Sequence, residues 1–159
     1  MLLKDEVRTL RQVPLFAGME PSKLKLLAFT SDRVSYGAGE ILFRQGDTGD
    51  AAYVILAGRA DILADSPSGP IKVAELGENS IVGEIAILCD ATRTATVSAA
   101  SPIEALRIRK EQFLKLLTDF PEVTLEIMRV LAERLSQTTA ALTEERAKAG
   151  PRQPPATGS

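Results

Sequence analysis

The chain has 159 residues, 45% of them hydrophobic and 25% charged, with 19 Lys and Arg against 21 Asp and Glu for a formal charge of −2. That length allows one domain with a substantial core, and the near-neutral balance excludes a general attraction to nucleic-acid phosphates or anionic membranes. There is no histidine, no tryptophan and a single cysteine, Cys89, which removes Ser-His-Asp triads, Cys-His dyads, histidine-held metals and any internal disulfide.

Charged residues begin at Lys4, too early for a secretory signal. No stretch reaches the roughly 18 apolar residues of a membrane span. With a lone cysteine suiting a reducing compartment, a cytoplasmic location without membrane insertion is expected. Leu3, Val7, Leu10 and Val13 recur at helical spacing and predict a helix over 2–13, ended by Pro14. Pro21-Ser22 opens a second helix carrying Leu24, Leu26, Leu27 and Phe29.

Between residues 34 and 109 the pattern changes. Glycines at 37, 39, 46, 49, 58, 69, 77 and 83 punctuate β-rich runs at 40–44, 51–57, 59–65, 70–76, 93–100 and 103–109. Turn-marked intervals of about ten residues predict a mainly β fold with flanking helices, a closed antiparallel sandwich or barrel. Ile62, Val73, Val97 and Leu106 should face its interior. Lys110 starts another helix through Leu117, and Asp119-Phe120-Pro121-Glu122 reads as the start of a long one. There Leu125, Met128, Ala132, Leu135, Thr139 and Leu142 advance by threes and fours, the spacing of a two-chain seam. A helix packing on its own domain is the alternative. The Pro/Gly-rich end, 148–159, is expected to be a disordered tail. It holds no recognition helix, so specific DNA binding is not expected.

Chemistry concentrates in 82–99. Gly83 lets a ligand approach the backbone, and Glu84–Leu88 can form one helical turn with N–H groups facing an anion. Arg93 supplies a planar fork for phosphate oxygens, Thr94 a hydroxyl and Ala95 a backbone N–H beside it. Glu84 can accept a sugar hydroxyl. No Gly-rich loop with lysine is present for a triphosphate. The set asks for a small ribose ligand with one negative charge. Elsewhere, Cys89 reads as a small buried hydrophobe, and Asp47 and Asp50 as turn residues, too few to cage calcium. Lys110, Arg129 and Arg134 read as solvated helix faces.

Gly83-Glu84-Ile85-Ala86 followed by Arg93-Thr94-Ala95-Thr96-Val97 resembles the phosphate-binding cassette of cyclic nucleotide-binding domains. Gly46-Asp47-Thr48-Gly49-Asp50, Tyr53-Val54-Ile55, Gly58 and Val13-Pro14-Leu15-Phe16 resemble the same family, so the likeness spans about residues 10–147. It departs at Val82, where many members carry Phe. The resemblance implies an antiparallel β-roll, jelly-roll-like, over 31–109, with N-terminal helices in 1–30 and C-terminal helices in 110–147. It also implies a non-enzymatic sensor of cAMP, with cGMP second, needing no metal or cofactor.

Carried over residue by residue, Glu84 takes the ribose 2′-hydroxyl and Arg93 the cyclic phosphate. Thr94 and Ala95 complete the cradle, with backbone at Gly83 and Ile85 nearby. The run Ala132-Glu133-Arg134-Leu135-Ser136-Gln137-Thr138-Thr139 resembles the long helix of catabolite activator-type cAMP receptors. That implies adenine contacts from Thr138 and Thr139 in a homodimer built on the 120–146 helix, with an effector protein downstream. The competing expectation is a β-roll that binds no nucleotide and acts as a dimerising scaffold.

Overall fold

The computed structural model describes residues 3–148, although the side chains of 134 and 137–148 lie outside the described residues. Helix α1 (Leu3–Gln12) starts with Asp5 and Glu6 and ends with Arg11, charges that complement the helix dipole. It buries Leu10 and sets Glu6 against Arg33 at 2.9 Å, tying the helix to the first strand. Pro14 does end α1, and it opens a single 3-10 turn (Pro14–Phe16) that buries Leu15 and Phe16. Helix α2 (Pro21–Thr30) has proline in its first turn, where the missing N–H costs nothing.

Eight strands follow, β1 (Asp32–Tyr36), β2 (Ile41–Phe43), β3 (Ala51–Ala57), β4 (Ala60–Ala64), β5 (Ile71–Leu76), β6 (Ile81–Val82), β7 (Thr96–Ala99) and β8 (Ile103–Arg109). The short helix α3 (Glu84–Leu88) interrupts them between β6 and β7, and α4 (Lys110–Asp119) and α5 (Pro121–Lys148) close the chain. The strands form two antiparallel four-stranded sheets, ordered β1-β8-β3-β6 and β2-β7-β4-β5. The β-roll is therefore present with its flanking helices, but the sheets are not hydrogen-bonded into the closed barrel that was one of the expected forms.

Strand β3 divides the core. Ala52, Val54 and Leu56 point to the helices, sharing a buried cluster with Phe16, Phe113 and Ile127 and with Leu106 of the neighbouring β8. Ala51, Tyr53 and Ile55 point between the sheets, onto Val97, Ile103 and Ala105. Both faces are covered, so the strand reads as an apolar run without alternation. In α5, Val123 and Ile127 are buried against the domain, whereas Leu125, Met128 and Leu135 are 62%, 61% and 69% exposed. No described helix is long and apolar enough to cross a membrane.

Val97 and Leu106 face the core, and Ile62 packs on it partly buried. Val73 does not, being 55% exposed. A register shift opposite Ile62 and Leu63 pairs those residues with Ala74 and Lys72, leaving Val73 as the unmatched residue of an edge strand. Val73→Thr is accordingly expected to change unfolding free energy by no more than about 0.5 kcal/mol in a denaturant titration. A loss several times larger would mean that β5 packs on something more than β4.

Candidate anion-binding site

Strand β6 delivers Gly83 to the start of α3 in the left-handed region, at φ 87°. A side chain here would collide, because a Cβ would stand 2.5 Å from Arg93 Nη1 and 3.1 Å from the Ala51 carbonyl oxygen. The backbone is bent so that Arg93 can lie against it. Glu84, first in α3, is 4% exposed, and Arg93, in the loop before β7, is 2% exposed.

Arg93 is held from several sides. Its Nη1 donates to the Gly83 carbonyl at 2.8 Å and its Nη2 to the Ala51 carbonyl at 2.6 Å. Nη2 also faces Asp50 Oδ1 at 3.4 Å. The guanidinium stacks on the Phe43 ring, 4.0 Å from its centroid, an arrangement arginine favours. Burial lowers its pKa, while Asp50 works in the opposite direction. Its Nε is buried and has no hydrogen-bond partner among the described residues, a donor that costs roughly 1–3 kcal/mol while unsatisfied.

Glu84 and Arg93 line one cavity of about 300 Å³, together with Gly83, Ile85, Thr94 and Ala95. Its remaining wall is apolar, from Phe43, Ile62, Leu76, Val82 and Val97 among others. Thr94 is exposed and Ala95 half-buried. The site thus has a carboxylate, a guanidinium and a hydroxyl at one end and hydrocarbon at the other, dimensions and chemistry of a small-ligand pocket. Thr138 and Thr139 fall in the part of α5 whose side chains lie outside the described residues. The same holds for the expected tail, of which residues 149–159 are not described.

Several neighbours of the site escaped the sequence reading. Phe43 and the Ala51 carbonyl carry no motif signal. Asp50 stood inside a recognised Gly-Asp run yet was read as a turn residue. It actually bridges Arg93 and Arg107, the latter at 3.2 Å, and Arg107 reaches Asp32 at 3.3 Å. The Arg107 pKa is raised, chiefly by Tyr53, and burial pushes the nearby Tyr36 phenol up to about 12. Asp47 does serve its turn, its carboxylate accepting from the Arg44 N–H at 3.0 Å.

One further reading is corrected. Cys89 is exposed, not buried, because it caps α3 at the point where the chain turns outward. Lys110 does lie on a partly exposed helix face, where its Nζ pairs with the exposed Asp90 at 3.1 Å, joining the end of α3 to the start of α4. Arg129 is 66% exposed and pairs with Glu126 on its own helix, while the Arg134 side chain is outside the described residues.

Residues 33–120 match the family profile described as "Cyclic nucleotide-binding domain". A lysophospholipase nte1 of Neurospora crassa is 31% identical over 116 residues, 72% of this chain but 8% of the relative. A CRP-like cAMP-activated global transcriptional regulator of Mycobacterium tuberculosis is 28% identical over 84% of this chain and 59% of its own. Among solved structures, the catabolite activator protein of Thermus thermophilus superposes with a TM-score of 0.75 at 30% identity, covering 82% of this chain and 62% of that one. The chain thus spans under a tenth of the lysophospholipase and about three-fifths of the regulator.

Proposed function

The chain belongs to the cyclic nucleotide-binding domain family, and from that membership we propose that it is a non-enzymatic cytoplasmic sensor of a 3′,5′-cyclic nucleotide, cAMP before cGMP. The observation that carries this reading is Arg93, buried at the cavity with an orphaned Nε. One phosphodiester charge would satisfy that donor and match the single guanidinium. Glu84 holds the ribose hydroxyl, Thr94 and Ala95 flank the phosphate, and the backbone at Gly83 and Ile85 closes the cradle. The base lies along Ile62, Leu76 and Val97, where the described wall is apolar and does not distinguish adenine from guanine. That choice passes to Thr138 and Thr139, and the exposed stripe of Leu125, Met128 and Leu135 supports a homodimer that would bring two such helices together.

The pathway for output is packing. Ile87 of α3 shares a buried cluster with Leu106, Phe113, Val123 and Ile127. A ligand that pulls α3 inward therefore loads α4 and α5, and it shifts them only by its differential affinity for the two arrangements.

Calorimetric titration of the chain, stripped of nucleotide by unfolding and refolding, tests the reading. Micromolar or tighter cAMP binding is expected, about −8 kcal/mol, with cGMP at least about tenfold weaker. Preference for cGMP would move base recognition to Thr94. No heat with either nucleotide, and no change in Tm, would overturn the sensor and favour the nucleotide-independent scaffold. Glu84→Ala should cost about 1–3 kcal/mol of binding through a lost charge-assisted hydrogen bond, and unchanged affinity would remove Glu84 from the site.

A further inference from the structure

We propose that the groove between α2 and α4 is a docking site for an amphipathic helix of a partner protein. A cavity of about 610 Å³ lies there, twice the size of the one at Arg93 and sharing no residue with it. Leu26, Leu27, Leu116 and Phe120 supply its apolar surface. Leu26 is 58% exposed, and Phe29, one turn further along α2, is 77% exposed. A large aromatic and a leucine side by side in water mark an interaction surface more than a random exposed residue does.

The charges identify the occupant. Arg109, Glu111, Lys115 and Asp119 line the groove and none forms an ion pair with another described residue, whereas Lys23 lies over the Phe120 ring, 5.4 Å from its centroid, and Gln112 of α4 donates to the Thr30 hydroxyl of α2. Glu111 and Lys115 stand in the order and spacing that favour a pair on a helix surface, yet they do not pair. Glu111, Lys115 and Asp119 run along α4 one turn apart with alternating sign. The complement is a helix carrying basic, acidic and basic residues at i, i+4 and i+8, with apolar residues on the adjoining face. Two helices wall the groove and α4 is about 15 Å long, so it accommodates a helix of two to three turns, a recognised mode of peptide capture.

The groove is also tied to the anion end of the molecule. The first N–H of α4, at Lys110, donates to the Asp50 carbonyl at 2.8 Å, and the Asp50 carboxylate faces Arg93.

The test uses the full chain and two synthetic stapled helices, one with Lys, Glu and Lys at i, i+4 and i+8 and leucines on the adjoining face, the other with the three charges reversed. Fluorescence anisotropy is expected to show the first binding at least about tenfold tighter than the second. The triple variant Glu111→Lys, Lys115→Glu, Asp119→Lys should exchange the two affinities, which a merely disrupted fold would not do. Leu26→Asp, at an exposed position, should abolish binding without changing Tm. Equal binding of both helices, binding of neither, or binding that survives Leu26→Asp would overturn the proposal. Self-association of the chain that Leu26→Asp removes would overturn it too, giving the groove to a second copy. None of these readouts involves a nucleotide, so the outcome is separate from that of the sensor.

Discussion

Arg93→Ala is expected to weaken cyclic-nucleotide binding by at least about thirtyfold, the lower part of the roughly 2–5 kcal/mol lost when one partner of a buried charge pair is truncated. The structure adds a second expectation. Arg93 satisfies the carbonyls of Gly83 and Ala51, and leaving buried carbonyls without donors costs about 1–3 kcal/mol. A domain stability of about 5–15 kcal/mol absorbs that loss, so the variant should fold with a lower unfolding midpoint. Arg93→Lys separates the two effects. It keeps the charge but lacks the planar fork that reaches two carbonyls at once, so it should recover part of the affinity and little of the stability. Calorimetry and urea unfolding on the same samples read both quantities. Wild-type affinity in Arg93→Ala would place the nucleotide elsewhere.

Gly83→Ala is expected to damage the site nearly as much without touching a charged group. At φ 87° an L-residue carries a penalty of about 1–2 kcal/mol. The added Cβ would sit 2.5 Å from Arg93 Nη1 and 3.3 Å from Phe43 Cε2, so the guanidinium must leave both its carbonyl and its ring. Affinity should fall at least about tenfold. The decisive measurement is a double-mutant cycle with Arg93→Ala. Losing the guanidinium removes the tightest of the methyl's contacts, although the Ala51 carbonyl oxygen at 3.1 Å and the Phe43 ring at 3.3 Å remain, so the two losses should combine to less than their sum. Strictly additive losses would mean that Gly83 acts through backbone strain and its approach to the Ala51 carbonyl, not through Arg93.

The polar end of the site was legible in the sequence because its chemistry is local. Gly83 through Ile85 and Arg93 through Ala95 lie in two short runs, and only the rest of helix α3 and a short turn separate them. The apolar wall was not legible, since Ile62 and Leu76 reach the cavity only through the pairing of β4 with β5. Asp50 was seen but misread, because a carboxylate between glycines looks like a turn whether or not an arginine 43 positions later folds against it. For the fold, β3 was clear as a continuous apolar run and β8 as a run in which Ile103, Ala105, Leu106 and Ile108 are interleaved with charges. Strand β1 was missed because Asp32, Arg33 and Ser35 mask Val34, and β6 because two residues make no pattern. Val73 failed because β5 is an edge strand exposed on both faces from Ile71 to Glu75, and neither that nor the bulge beside it leaves a trace in the sequence pattern.

That bulge has a bearing on how the protein associates. Strand β5 is a sheet edge, and an uninterrupted edge is a template on which another chain can extend the sheet, copy upon copy. Here Lys72 stands in mid-strand, paired with Asp61 and Glu75, and the unmatched Val73 beside it breaks the regular ladder. A strand added from outside would have to bury that ammonium and follow an irregular row of amides. Fibrous growth along this border is therefore disfavoured.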